Sequence, residues 1–467
     1  MFTLFTGGHA RDCEGSTRRD FLRVGTLGIG GLTLPSLLAA QAAAGRGSDP
    51  VKKKSVVVLF LQGGPTHIET FDPKMTAPVE YRAMFGEVKT AVPGLTFGSH
   101  FSRLASLADR MAIVRSYRHG ISSHAPASEH VIAGGNKFKA TMGSLYARAA
   151  GTTNPHTGIP RNVVLTPRAA GEQYKDLNSS TDRIGAVGSL SPAYKVFDPS
   201  SGSQILTNMK LALPAGRLDD RQSLLGQLDR IRREADAAGR IEGADRFQHQ
   251  AFDVIVGGVS DAFNLAKEDP SVIARYDTSE YRIPRDLLKK KSNVPAQSPV
   301  ALGKQMLLAR RLVEAGCGFV TVSSTGWDMH GNAFGVNDGM PLLGSAVDKA
   351  ASAFLEDLER RGMLDDVLLV ITGEFGRTPK INNKGGRDHW GNLCALALAG
   401  GGLRMGQVVG SSDRTASVPD AEPVSSENLR ATIMNTLFNT AELRIADGLP
   451  KDVVAEILRG EPIKQLM

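Results

Sequence analysis

What most constrains this chain is a series of short, apolar, mostly β-branched runs, each ending in a polar loop rich in glycine, histidine and acidic residues. Ser55-Val56-Val57-Val58-Leu59-Phe60-Leu61 is stopped by Gly63-Gly64-Pro65. A run this short reads as a buried strand opening onto a loop. Met111-Ala112-Ile113-Val114 and Asn162-Val163-Val164-Leu165 read the same way, and the first is followed at once by a polar loop from Arg115 to His124. The final third has the clearest rhythm. A helix around Gly303 to Ala315 precedes a strand at Gly318 to Val322. A second helix, about Ala346 to Arg361, feeds Val367-Leu368-Leu369-Val370-Ile371 and the loop Thr372 to His389. Strands alternating with helices predict an α/β protein with a central, mostly parallel sheet flanked by helices. In such sheets ligands bind outside the carboxyl ends of the strands, so the polar loops are expected to meet at one site.

Two segments stand outside that rhythm. The start of the chain, Thr17-Arg18-Arg19-Asp20-Phe21-Leu22, leads into an uncharged run from Val24 to Leu38 and small residues through Ala44. A basic pair, an apolar stretch and an alanine-rich cleavage segment read as an export signal of the twin-arginine kind over residues 1–44. Gly25, Gly28, Gly30, Gly31 and Pro35 argue against a packed amphipathic helix, and the run is shorter than the roughly 20 residues that span a bilayer. The expected location is therefore the periplasm or the extracellular space, with no permanent membrane insertion. Residues from about 216 to 290 carry Arg, Asp, Glu, Ala and Leu at helical spacing, with Leu224, Leu228 and Ile231 on one face, and read as a mainly helical insertion in a domain spanning 45–467.

Charge and cysteines exclude several functions. The formal net charge is +7, yet Arg230, Arg232 and Arg233 lie among Asp229, Glu234 and Asp236, a solvated face rather than a nucleic-acid footprint. Outside the leader only Cys317 and Cys394 remain, both between apolar neighbours, which suits buried fillers and rules out an all-cysteine metal site. Gly63-Gly64-Pro65 lacks the spacing of a nucleotide loop, and the chain has no Gly-x-Ser-x-Gly elbow and no His-Glu-x-x-His helix.

Six of the ten histidines fall in the strand-end segments: His67, His119, His124, His130, His330 and His389. Imidazole and carboxylate groups together suit borderline divalent ions. Asp328-Met329-His330 is the best single metal motif. Asp388-His389 supplies a second, or else a turn in which Asp388 accepts backbone hydrogen bonds. Glu374 is a further ligand or a carboxylate that orients Arg377. Arg377 suits an anionic oxyacid, since its planar fork matches phosphate or sulfate, or else it holds loops together as an ion pair. Ser122 and Ser123 precede a helix entered through Pro126, and Ser123 caps that helix or serves as an activated nucleophile. His67 closes the site or bonds to Glu69 or Asp72 within its own loop. His124 and His130, six residues apart, do not share a helix face and so are not expected on one ion.

These residues also carry a family resemblance. The leader, Leu61-Gln62-Gly63-Gly64-Pro65-Thr66-His67, Gly326-Trp327-Asp328-Met329-His330-Gly331, Gly373-Glu374-Phe375-Gly376-Arg377-Thr378-Pro379 and Gly386-Arg387-Asp388-His389-Trp390 resemble the DUF1501 family of exported bacterial proteins. The resemblance implies a fold related to the alkaline phosphatase and sulfatase superfamily, whose members hydrolyse phosphate or sulfate esters with one or two divalent ions between strand-end loops. It places Asp328 and His330 in the superfamily's aspartate and histidine pair, His389 at its late histidine ligand, and the nucleophile at Ser122 or Ser123. The chain departs from that pattern at Gln62, where an aspartate is expected, and at Glu374-Phe375, where an Asp-His pair is expected. The functional expectation is an exported hydrolase of phosphate or sulfate esters, with Zn, Ca, Mg or Mn as the ion, His67, Asp328, His330, Glu374, Asp388 and His389 as metal residues, and Ser122, Ser123 and Arg377 acting on an anionic substrate. The alternative is a non-catalytic binding or cell-envelope protein on a degenerate hydrolase scaffold. Neither oligomeric state nor substrate is legible.

Overall fold

Ser55–Gln62 forms β1, at the centre of the sheet, and every residue but Gln62 is buried. Val56, Val57 and Val58 favour the extended backbone because branching at Cβ restricts χ1 against a helical turn. Being apolar on both faces, β1 can only be an interior strand. In the computed structural model, which describes residues 49–174, 181–200, 260–290, 298–332, 334–446 and 448–467, it is hydrogen-bonded in parallel to two neighbours.

The other strands of this sheet are β2 (Met111–Val114), β3 (Asn162–Leu165), β4 (Phe319–Thr325), β5 (Val367–Thr372), β6 (Leu396–Gly400) and β7 (Gln407–Val409). They form one seven-stranded sheet in the order β7-β2-β6-β5-β1-β4-β3. All run one way except β6, which is antiparallel to β5 and β2. The physical reason lies in the connection. A parallel return needs a crossover to the other end of the sheet. Residues 373–395 make none, because Leu396 pairs with Thr372 and the chain re-enters where it left.

Helices cover both faces: α1 (His124–Ala133), α2 (Met142–Ala150), α3 (Ser298–Glu314), α4 (Ser345–Arg360) and α5 (Ser426–Leu437). The pleat divides β1 between them. Val57, Leu59 and Leu61 join the main core with Leu302, Met306 and Ala309 of α3 and Val347, Ala351, Phe354 and Leu358 of α4, spacings that place each set on one helical face. Val58 and Phe60 face the opposite layer, beside Val131 and Ile132 of α1, Met142 of α2 and Leu429 of α5. The architecture is the expected alkaline-phosphatase-like α/β sandwich.

A second, separate unit includes, among the described residues, the helix Thr440–Ile445, capped by Asn439. The leader and residues 216–259 of the expected insertion, including Leu224, Leu228 and Ile231, lie outside the described residues. Within 260–290 the chain forms short helices, among them Pro270–Tyr276 and Arg285–Lys290. Among the described residues no helix is long and apolar enough to cross a membrane. Cys317 and Cys394 are buried and free.

Candidate metal centre

The strand-end loops are pressed together at the carboxyl edge of β5, β1 and β4. The backbone of Gly63, just past β1, lies against the loop after β4: its φ is +115°, and a Cβ there would sit 2.4 Å from the Asp328 nitrogen. Only glycine tolerates both conditions. Trp327, fully buried, fixes that loop through a bond from its N–H to Gln62 O (3.0 Å) and one from its indole N–H to Ser324 Oγ (3.2 Å). Residues 373–395 fold back through a short pairing of Gly376–Arg377 with His389–Trp390. Asp328 and His389 are thereby brought to the N-terminus of α1, where His124 sits.

Three imidazoles converge on one oxygen. Asp328 Oδ1 lies 2.8 Å from His330 Nε2, 3.2 Å from His389 Nε2 and 3.5 Å from His124 Nε2. His330 Nε2 and His389 Nε2 are 2.9 Å apart. Among the described residues, His124, Asp328 and His389 are the group whose ligand atoms all fall within 4.8 Å of one another, and His330 adjoins it. The far edge of each ring is held by a different oxygen. Nδ1–H of His124 donates to Glu374 Oε1 (2.8 Å), that of His330 to Asp388 Oδ1 (2.9 Å), and that of His389 to the Ser122 carbonyl (3.0 Å). Because carboxylate and carbonyl oxygens accept only, these bonds fix the proton on Nδ1 and leave the Nε2 lone pairs aimed inward. Such nitrogens, gathered around a carboxylate oxygen, can hold a cation among them. Three nitrogens and one oxygen, each imidazole braced from behind, are a donor set that fits a borderline divalent ion.

The electrostatics agree. Burial raises the Asp328 carboxyl, but its bonds to His124, His330 and His389 and the charge of Arg377 outweigh this and hold it far below the usual carboxylate range. Burial lowers His124, but bonds to Asp328 and Glu374 carry it up to about 9. Asp328 also raises His330. Phe375 forms an apolar floor, its ring centroid 5.0 Å from that of His124 and 4.5 Å from that of His389.

The structure sorts the residues expected from sequence. Asp328, His330 and His389 are at the centre. Glu374 and Asp388 stand one bond behind it, each holding an imidazole. Ser122 and Ser123 are both exposed beside it. Ser122 is engaged, its Oγ accepting from Gly391 N (2.8 Å), whereas Ser123 is the N-cap of α1 but makes no side-chain cap bond. Arg377 differs from the oxyanion-binding expectation. Its side chain is buried and its N–H groups go to Gly63 O, Gly64 O (2.8 Å), Arg387 O (3.1 Å), Trp327 O (3.3 Å) and Asp328 Oδ1 (2.7 Å), with Nη1 3.4 Å from His330 Nε2, so it clamps loops beside the cluster. His67 is not brought to the cluster: it is buried, with Nε2 bonded to Ala416 O (2.9 Å) and not to Glu69 or Asp72. Two residues named in the sequence were given no role in the site, His124 and Phe375. His130 lies beside His119 (5.6 Å between ring centroids). The partners of His124 are more than one hundred residues away in sequence, beyond any local spacing rule.

The family described as "Protein of unknown function (DUF1501)" matches residues 53–465. The chain belongs to the DUF1501 family. No curated protein matches it. Among solved structures, this DUF1501 protein is similar to a sulfatase from Pseudoalteromonas sp. (13% identity, TM-score 0.34, covering 85% of this chain and 69% of that one). It is also similar to a phosphonate monoester hydrolase of Agrobacterium radiobacter (12%, 0.33, 82% and 73%) and to a lipoteichoic acid synthase from Listeria monocytogenes (8%, 0.32, 89% and 79%).

Proposed function

We propose that this DUF1501 protein is an exported, metal-dependent hydrolase of phosphate or sulfate esters. The observation that carries the reading is the convergence of His124, His330 and His389 on Asp328 Oδ1, each ring braced through Nδ1. These four residues would hold the ion, and a set of three imidazoles favours Zn²⁺ or Mn²⁺ over the oxygen-seeking Ca²⁺ and Mg²⁺. Once bound, the ion supplies Lewis-acid polarisation of an ester oxygen.

The chain's own groups divide the remaining work. Ser123, exposed and uncommitted at the start of α1, is the better nucleophile, while Ser122 positions His389 through its carbonyl. The first turn of α1 adds the favourable end of a helix dipole for an anion. Arg377 holds Asp328 in place and shields its charge. A binding role without turnover is the second reading, and the occupied guanidinium of Arg377 favours it.

The test is elemental analysis of the purified protein together with assays on aryl phosphate and aryl sulfate esters. The expected result is a bound divalent ion lost in Asp328→Ala, with turnover reduced at least a hundredfold in Ser123→Ala, about the loss typical of a missing catalytic group. A protein that holds metal but turns over neither ester supports the binding role, and one that holds none contradicts both.

A further inference from the structure

We propose that Glu374 is a positioning residue, not a ligand, and that through His124 it sets the affinity of the centre for its divalent cation. The proposal rests on the metal-centre reading above. An acceptor bonded to Nδ1 lies across the imidazole ring from an ion on Nε2, so the Glu374 oxygen that holds His124 is on the wrong side to join the coordination sphere.

The three supports are unequal. His389 leans on a neutral carbonyl, that of Ser122. His330 leans on Asp388, whose side chain is 57% exposed and whose charge water screens. Glu374 is a carboxyl group like Asp388, yet its side chain is only 3% exposed. Its Oε1 accepts from both Gly63 N (2.7 Å) and His124 Nδ1 (2.8 Å). Its Oε2 is buried with no hydrogen-bond partner.

A carboxylate with one oxygen unsatisfied is costly to bury, and nearby positive charge is what offsets the cost. A cation on His124 Nε2 withdraws electrons through the ring and makes Nδ1–H a stronger donor to Glu374. Metal binding and the buried carboxylate therefore stabilise one another. His124 is also the imidazole on which this coupling matters most. It is the one contributed by the start of a helix, α1, which follows β2 in the chain, and Oε1 ties it to the β1 loop through the shared bond with Gly63.

The experiment is titration of the metal-free full chain with Co²⁺, followed by visible absorption, on wild type, Glu374→Gln, Asp388→Asn and Asp328→Ala. Glu374→Gln is expected to weaken binding about 10- to 100-fold, the range for losing such a support. At saturation its absorption bands are expected to match wild type, because the donor atoms are unchanged. Asp388→Asn is expected to lose less than about tenfold, its support being exposed. Equal affinity in wild type and Glu374→Gln overturns the proposal alone. Altered bands in Glu374→Gln make Glu374 a ligand and also overturn it. Failure of wild type to bind Co²⁺ overturns the metal-centre reading and the proposal with it. A check independent of how any variant folds is ¹⁵N NMR of the wild-type histidines with Zn²⁺: a protonated Nδ1 and a metal-bound Nε2 at His124 support the proposal, and the reverse contradicts it.

Discussion

Asp328 and Arg377 show how a single charge pair can serve both the site and its frame. Asp328 Oδ1 faces the three imidazoles on one side and Arg377 Nη2, at 2.7 Å, on the other. The arginine's other bonds run to carbonyls of the β1 loop, of Trp327 and of Arg387, with His330 Nε2 beside it, so it ties three separate stretches of chain together. Arg377→Ala is expected to destabilise the protein by about 3–5 kcal/mol in urea unfolding, because it strands several buried acceptors and a carboxylate at once. Arg377→Lys should recover only part of that, since a point charge cannot reproduce the fork. A loss below about 1 kcal/mol, the usual surface value, would contradict the clamp. The same residue explains a limit of sequence reading. An arginine in a glycine-bounded strand-end loop suggests a ligand contact, but whether its fork meets solvent or backbone carbonyls depends on loops distant in sequence.

At the scale of elements, the site is made by where the strands stop. β1 ends in a glycine whose lack of Cβ lets its loop touch the backbone of Asp328. Gly63→Ala is therefore expected to push the loops apart and lower metal affinity at least tenfold, while far-UV circular dichroism stays unchanged because the sheet lies below the loop. Wild-type affinity in that variant would contradict this role. The apolar runs made β1, β2 and β3 legible at nearly their observed bounds, and β4 and β5 to within a few residues. β6 and β7 were not legible. Leu396–Gly400 is built of alanine, leucine and glycine without branching at Cβ, and its extended form is imposed by pairing with β5 and β2. The excursion 373–395, which brings His389 to the site, followed from that reversal and was equally hidden. Asp328, His330 and His389 could be read because they sit in glycine-bounded loops. His124 could not, because it looks like the first residue of an ordinary helix.

On the scale of the whole molecule, stability should follow the histidines that do not reach the site. His67 is fully buried, and burial pushes it down to about 4; its Nδ1 has no hydrogen-bond partner. Burial and the neighbouring His130 likewise lower His119 to about 4. In the unfolded chain both titrate near the ordinary value of about 6.5. Between those values the unfolded state binds protons that the folded state refuses, so stability is full above pH 6.5 and falls as pH drops toward 4. For His67 the loss is on the order of 3 kcal/mol. Urea midpoints measured from pH 7 to 4.5 should decline in wild type and decline less in His67→Gln, which keeps a donor for Ala416 O. Parallel declines would contradict the assignment.

On the proposed function, four side chains drawn from α1, the loop after β4 and the excursion before β6 form one metal centre. That reading is tested most directly by anomalous diffraction from crystals of the purified protein, collected across the zinc and manganese absorption edges. The predicted result is one strong peak within about 2.3 Å of Nε2 of His124, His330 and His389 and of an oxygen of Asp328. Its absence after growth with either metal, or a peak bound instead by His67, would contradict the account.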